Sequence, residues 1–417
     1  MDLFTGWQYL LIDVANHQGH DKEVFEKRIQ WAQDHLDELE DHVDTADEPE
    51  LYQKAVMAIR RAQRGEPIGH MIGFDAVCSG MQIMSALTGC EAGADATGLI
   101  DPNRRADAYT DCTEIMRRYI PTLPDNERAK VKPAVMTVLY GSKAEPKKVF
   151  GDGTDELNAF YKAMYELAPG ACELLDDLLN SWNPYALSHD WKLPDGFDAH
   201  VKVIQKVEKR IDVNELGGAS FTYQYRENEG CEYDRKNAAN VVHSIDAYVL
   251  RSLIRRCNYD RGLMEWAAHH IELVLLERLT EGDSTANQVA EPLCEMGEYL
   301  RQRYEDTRMP DIRILDYLND WQLYMLSSGH LRALARIVNQ MLEHKPFPII
   351  AVHDEFKCHA NNMNALRKHY REIMAGLAES FILDDILNTL YGTTGGTFPK
   401  KSPNLADKIR KSNYAIC

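Results

Sequence analysis

Apolar residues recur at three- and four-residue spacing over most of the chain. The spacing predicts helices over 21–39, 51–64, 105–120, 155–167, 171–182, 237–256 and much of 263–342. Strand signals are few and short. One run, 68–74, leads into Asp75; a second, 201–207, follows the Pro194-Asp195-Gly196 turn; 219–225 alternates; and 347–352 leads into Asp354. Few strands among many helices predict a mostly helical α+β protein with a small antiparallel sheet. There is no internal repeat and no low-complexity linker.

Composition narrows this picture only in places. A chain of 417 residues can bury the core of two or three lobes. No apolar run approaches the ~20 residues that cross a bilayer. The first residues lack the basic-then-apolar layout of a signal peptide, so a cytoplasmic protein with no membrane partner is expected. The nine cysteines form no CxxC pair, which argues against a zinc ribbon and a disulfide framework. A net charge of −18 is unfavourable for a protein that binds phosphates. Much of the acidic excess is local, in 34–50, while basic residues gather at Arg104-Arg105, Arg117-Arg118, 143–148, Arg255-Arg256 and 400–411. A nucleic-acid surface would have to be a local basic channel or be completed by another subunit.

Three segments carry candidate chemistry. In Met71-Ile-Gly-Phe-Asp75-Ala-Val-Cys-Ser79-Gly80-Met-Gln82 an apolar strand ends in an aspartate, and a small-residue turn leads into a helix. The exposed carboxylate and nearby carbonyls suit a hard cation; a helix N-cap is the plainer reading of the same aspartate. In Phe347-Pro-Ile-Ile-Ala-Val-His353-Asp354-Glu355 a buried apolar strand is expected to reverse in a tight hairpin, with a surface turn as the alternative. Carboxylates at a buried strand tip are costly unless paired or metal-bound. Two strand-end carboxylates far apart in sequence are what two-metal phosphoryl transfer requires. In Arg128-Ala-Lys-Val-Lys132-Pro-Ala-Val-Met136-Thr137-Val-Leu-Tyr140-Gly141 positions 128, 132, 136 and 140 share one broad helix face. Lys132 and Tyr140 would lie ~12 Å apart, the reach from a nucleotide's outer phosphates to its base. An amphipathic helix with a core tyrosine fits that pattern too. Pro133 favours a helix that starts near Lys132.

Together these segments resemble the single-polypeptide phage-type RNA polymerases, including the mitochondrial enzymes. The third is similar to their fingers helix, Lys…Val-Met-Thr-x-x-Tyr-Gly. The first resembles their palm motif Asp-x-x-x-Ser-Gly-x-Gln, and His353-Asp354 the second palm motif, all in the family's order. Ala15-Asn16…Gly19-His-Asp21-Lys22, Val242-His243-Ser-Ile-Asp246, the turn Pro194 to Phe197 and the end Asn413-Tyr-Ala-Ile-Cys417 extend the likeness along nearly the whole chain.

The resemblance implies a right-hand fold, with palm in 1–100 and 243–417 and fingers in 101–242. It implies two Mg²⁺ on Asp75, Asp354 and the carbonyl of Ala76. Lys22, Arg128 and Lys132 would grip the triphosphate, and Tyr140 would close over sugar and base. Gly141 would give the template base room, His243 would contact the ribose 2′-hydroxyl, and His353 would lie near the RNA 3′ end. A specificity hairpin is expected at about 200–230 and a C-terminal foot beside the site.

Departures from the family shape the remaining expectations. The family's N-terminal promoter domain, thumb and Asp-x-x-Gly-Arg stretch are missing. A smaller subunit supplying them is therefore expected, as in the two-subunit RNA polymerases of N-four-like phages, working in the cytoplasm of an infected bacterial host. DNA template, RNA product, rNTPs and a helper for promoter opening complete the expected partners. Residues from about 259 to 328 read as a helical insertion, and 210–230 is only weakly basic. The rivals are an A-family-like DNA polymerase, opposed by Met136-Thr137 and His243, and a non-catalytic scaffold, opposed by the intact Asp75, Asp354, Lys132 and Tyr140. A two-metal nuclease is a weaker third, since it needs no triphosphate-gripping helix.

Overall fold

The computed structural model describes residues 1–124, 127–281 and 291–417. It is α+β and mostly helical, as expected, with strands β1 (Met71–Asp75), β2 (Ser188–Lys192), β3 (Asp198–Lys202), β4 (Gln205–Val213), β5 (Ala219–Glu227), β6 (Ile350–Val352) and β7 (Glu355–His359). They form three small antiparallel sheets: β1-β7-β6, β2-β3 and β4-β5. No described helix is long and apolar enough to cross a membrane.

The three-stranded sheet lies against the helix Gly6–Ala15. Tyr9 meets Phe74 edge-on at 5.9 Å, and Phe25 stacks on Phe74 at 5.6 Å and on Tyr414 at 4.8 Å. Gly6–Ala15 escaped the sequence pattern because every residue from Tyr9 to Ala15 is buried, leaving no polar stripe to mark a period. The helix Met363–Glu379 was missed for a related reason: its buried positions include Arg367, His369 and Arg371. Arg367 donates to the Asp2 carbonyl at 3.1 Å, the Tyr9 hydroxyl at 2.8 Å and the Asn413 carbonyl at 2.8 Å, tying both ends of the chain to one helix.

Other expectations are corrected. The helix expected over 21–39 is confined to Phe25–Asp34. The chain before it is shaped by Gly19, at φ +118°, where a Cβ would meet an Asp47 carboxylate oxygen at 2.7 Å. The strand expected over 201–207 breaks between Lys202 and Gln205, where Val203 donates to the Leu187 carbonyl instead. Only Ile350–Val352 of 347–352 is a strand, and it is not buried: Ile350 and Val352 are about half exposed, at 50 % and 49 %. β6 is an edge strand, and Pro348 before it has no N–H for a ladder. The tight hairpin itself is present.

The expected insertion contains the helices Arg261–Glu281 and Glu295–Thr307, with 282–290 outside the described residues. Met264, Ile271 and Leu300 pack with Leu334 and Val338 of Ser328–Leu342 in a second core, separate from the main one.

The β2–β3 turn is anchored by charge. Asp195, 1 % exposed, accepts from Arg251 Nε at 2.6 Å and Nη2 at 3.1 Å and from Arg255 Nη2 at 3.2 Å, and Arg255 also reaches Asp311 at 2.7 Å. Burial alone would raise the Asp195 pKa; the arginines outweigh it and hold the carboxyl below its usual range. A depressed carboxylate contributes fully above about pH 4 and loses its contribution as pH falls through the folded value. Asp195→Asn should therefore cost about 3–5 kcal/mol at pH 7, with the gap to the parent closing in acid. Urea unfolding across pH checks this, and a gap that is constant down to pH 3 would remove the charge explanation.

Candidate active site

β1 and β7 bring the two strand-end carboxylates together. Asp75 lies opposite Glu355 in the ladder, and Ala76 N–H donates to the Asp354 carbonyl at 3.3 Å. The C-terminal tail closes the other side: Cys417 N–H donates to the Asp75 carbonyl at 3.1 Å, and Ala76 bridges to Ile416. Gln82 secures that tail, its amide donating to the carbonyls of Thr97 at 2.8 Å and Ala415 at 2.9 Å while its oxygen accepts from Tyr370 at 2.7 Å. The C-terminal tail thus runs beside Asp75, and Gln82 of the first motif is a positioning residue for it.

Two backbone features shape the strand ends. His353 occupies the first of the two turn residues between β6 and β7 at φ +57°, the place glycine often takes in such hairpins. Cys78, at φ +56°, directs the chain from Asp75 into the helix Ser79–Thr88. Gly73 is required by packing, since a Cβ there would sit 1.9 Å from the Glu355 carboxylate.

Asp75, Ala76 and Asp354 line a cavity of about 250 Å³ together with Lys22, Arg105, Arg128 and Lys132, and Asp21 and Asp107 lie on its wall as well. Asp75 opens to this cleft, yet the protein around it displaces bulk water. That desolvation, then Glu355 and Asp354, push its pKa up to about 6. Asp246, on the helix Lys236–Cys257, is likewise pushed up to about 6 by burial and then by Asp354. Like charges crowded at a strand end are the arrangement that a divalent cation relieves, and the oxygen donors of Asp75 and Asp354, which line the cavity, suit a hard one, whereas Glu355 is paired with Lys357 at 2.8 Å. The residues present fit magnesium.

The cations are already engaged. Lys22 pairs with Asp21 at 2.8 Å. Arg128 is held by Asp107, the N-cap of the helix Ala108–Tyr119, and Arg128 and Lys132 both lie over the Tyr109 ring at 5.4 Å. Arg28, fully buried, donates to the carbonyls of Asp21 at 2.7 Å and Glu23 at 2.8 Å and to Asn16 at 2.9 Å, so it fixes the loop that presents Lys22. The helix expected to start near Lys132 instead runs Arg128–Val138 with Pro133 inside. Glu127 accepts from Lys130 and Val131 and builds a turn ahead of the proline. The Ala129 carbonyl, which loses its donor to Pro133, is on an exposed residue and is open to water. This extra turn puts Arg128 on the cavity wall.

Tyr140, Gly141, His243 and His353 do not line the cavity. Tyr140 stacks on His243 with ring centroids 4.7 Å apart and planes 7° apart. Gly80 makes room for it, since a Cβ there would meet the Tyr140 hydroxyl at 2.7 Å. Burial first, then Cys78, Asp246 and Asp354, raise the Tyr140 pKa to about 12, so the phenol keeps its proton. Gly141, at φ +82°, accepts at its carbonyl from Arg235 at 3.0 Å. His353 is exposed at the hairpin tip.

Sequence reasoning passed over Glu355, Asp246, Arg105, Tyr109 and Arg28 as site residues. Glu355 and Asp246 were visible inside the motifs themselves. Arg105 stood in a noted basic pair, and it donates to the Asp21 carbonyl at 3.3 Å. Nothing local marked Tyr109, whose role depends on tertiary contacts, whereas Arg28 belongs to the segment around Lys22 and bonds within it.

Residues 4–148 match the family model described as DNA-dependent RNA polymerase. A mitochondrial DNA-directed RNA polymerase of Arabidopsis thaliana is 28 % identical over 172 residues, covering 33 % of this chain and 18 % of the relative. The mitochondrial DNA-directed RNA polymerase of Neurospora crassa is 27 % identical over 164 residues, covering 33 % of this chain and 12 % of the relative. The chain thus spans less than a fifth of the length of either relative. The stretch holding Lys22, Asp75, Arg128, Lys132 and Tyr140 is the one that is similar to the DNA-dependent RNA polymerase family.

Proposed function

We propose that this chain is the catalytic part of a DNA-directed RNA polymerase. The observation that carries the reading is the shared cavity, in which Asp75 and Asp354 face Lys22, Arg128 and Lys132. In the reaction the RNA 3′-hydroxyl oxygen attacks the α-phosphorus of an rNTP, the bond to the β-phosphate oxygen breaks, and pyrophosphate leaves. Two magnesium ions held by Asp75, Asp354 and the Ala76 carbonyl would supply Lewis-acid stabilisation of the phosphates and of the attacking hydroxyl.

The protein's own groups do the positioning. Lys22, Arg128 and Lys132 exchange their internal partners for triphosphate oxygens. The stacked Tyr140–His243 pair meets sugar and base, with His243 near the 2′-hydroxyl, Gly141 beside the template base and His353 near the RNA 3′ end. Residues 1–100 and 243–417 form the palm and 101–242 the fingers, with β4–β5 as the candidate specificity hairpin. A smaller subunit would complete the thumb and the N-terminal part, and a helper protein or single-stranded DNA would provide the open template. The setting is the cytoplasm of an infected bacterial host.

Asp354→Ala should reduce rNTP incorporation on a single-stranded template by ~10³-fold or more, equivalent to ~4 kcal/mol of lost transition-state stabilisation. Because Asp354 crowds Asp75, the variant should melt in chelator at or above the parent's temperature. Near-parental synthesis would sink the two-metal assignment. Comparing rNTPs with dNTPs in the same assay separates RNA from DNA synthesis.

Tyr140→Phe removes one hydroxyl and keeps the stack on His243. If that hydroxyl reads the sugar, rNTP-over-dNTP preference should fall about five- to tenfold, the worth of one hydrogen bond of ~1 kcal/mol. Unchanged selectivity in single-turnover incorporation would take sugar recognition away from Tyr140.

A further inference from the structure

We propose that a second cavity, separate from the carboxylate site, binds a phosphorylated small molecule. It has a volume of about 370 Å³ and lies where the helices Glu295–Thr307, Ser328–Leu342 and Met363–Glu379 meet the end of Lys236–Cys257. That is the size of a small-ligand pocket, for which roughly 300–1,000 Å³ is usual.

The wall carries Arg256, Arg308, Arg332 and Arg336 against two carboxylates, Glu372 and Glu379. Arg410 donates to both carboxylates, to Glu379 at 2.7 and 2.8 Å and to Glu372 at 3.3 Å, and so offsets one of their two charges. Arg336 lies 3.8 Å from Glu379, and Arg308 pairs with Glu305. Arg256 and Arg332 keep no ion pair or hydrogen bond among the described residues. For Arg332, which is exposed, this is unremarkable; Arg256 is only 3 % exposed.

The guanidinium nitrogens of Arg256 are not sealed inside the protein but open to the cavity, where an anion can reach them. Burial lowers its pKa, and Tyr248, Asp311 and Glu372 offset that only in part. On the same wall Gln340 has a buried side-chain oxygen with no partner, an acceptor for a ligand hydroxyl or amino group. Met309, Pro310 and Ile337 add an apolar patch. Planar arginine forks match phosphate oxygens, and two spare arginines match a multiply charged anion better than a single carboxylate. The volume leaves room beyond one phosphate group for a sugar and base.

The test titrates the full-length chain in chelator with inorganic phosphate and, separately, with ADP, following heat of binding and melting temperature. Lys132→Ala serves as the background that weakens the carboxylate cavity. Saturable binding and a ligand-dependent rise in melting temperature should persist in Lys132→Ala. They should weaken at least tenfold when Arg256→Met or Arg332→Gln is added. ADP binding tighter than phosphate would identify a nucleotide as the source of the phosphate group, and equal affinity a free anion. Without ligand, Arg256→Met should melt no lower than the parent, because it removes an unpaired buried charge. Absence of binding, or binding that survives both arginine substitutions, would overturn the proposal.

Discussion

The structure depends on holding negative charges together that repel one another. Asp75, Asp354 and Glu355 meet at one end of a three-stranded sheet, and Asp246 approaches from a neighbouring helix. Backbone pairing does the holding. β1 and β7 run in full register up to Asp75 and Glu355, and the ladder continues past them through the Ala76–Asp354 hydrogen bond. Because each strand contributes its carboxylate as the last or next residue of the ladder, side-chain repulsion cannot part them without breaking the sheet. Burial first, and then Glu355 and Asp354, push the Asp75 pKa up to about 6, so part of the crowding remains unrelieved.

That sheet is small, and its rigidity comes from elsewhere. Phe74 on β1 packs against Tyr9 and Phe25, and Tyr414 of the tail stacks on Phe25. Arg367 joins the start of the chain, the first helix and the tail, and Gln82 holds the tail from the other side. The last residues then complete the ladder at Asp75 and Ala76. Segments from both ends of the chain and its middle therefore converge beneath the carboxylates. A buried arginine and a buried glutamine, each with several donors and distant acceptors, are economical means of enforcing that convergence.

How far this was legible follows from where each signal resides. The carboxylate-bearing turns, the Lys132–Tyr140 helix and the tail are local patterns, and each was readable before any coordinates. Burial on all sides concealed Gly6–Ala15, and polar residues facing inward concealed Met363–Glu379, because both remove the contrast on which periodicity rests. The strand before Asp354 read as buried because Ile350 and Val352 are apolar. Which strand lies at the sheet edge is a property of the whole fold, not of the segment. Pro133 misled for a similar reason: an exposed carbonyl at Ala129 tolerates the lost hydrogen bond, and exposure is not written locally. Tyr109 acquires its role only through Arg128 and Lys132 on another helix.

The cations of the cavity bear on how an acidic chain would hold the polyanionic ligand proposed for it. With a net charge of −18, long-range attraction to phosphates is weak or absent. Recognition must then be short-range and screened from the bulk of the acidic surface. Lys22 on Asp21, Arg128 on Asp107 and Lys132 over Tyr109 are held in place by neighbours that a triphosphate can replace. The exchange costs some affinity, since each internal contact must be given up. In return the charges are positioned beforehand, and little side-chain entropy is left to lose on binding. The net charge of the molecule and the balance of charges lining its cavity, four basic side chains and four carboxylates, are thus separate quantities, and the local arrangement governs what the cavity accepts.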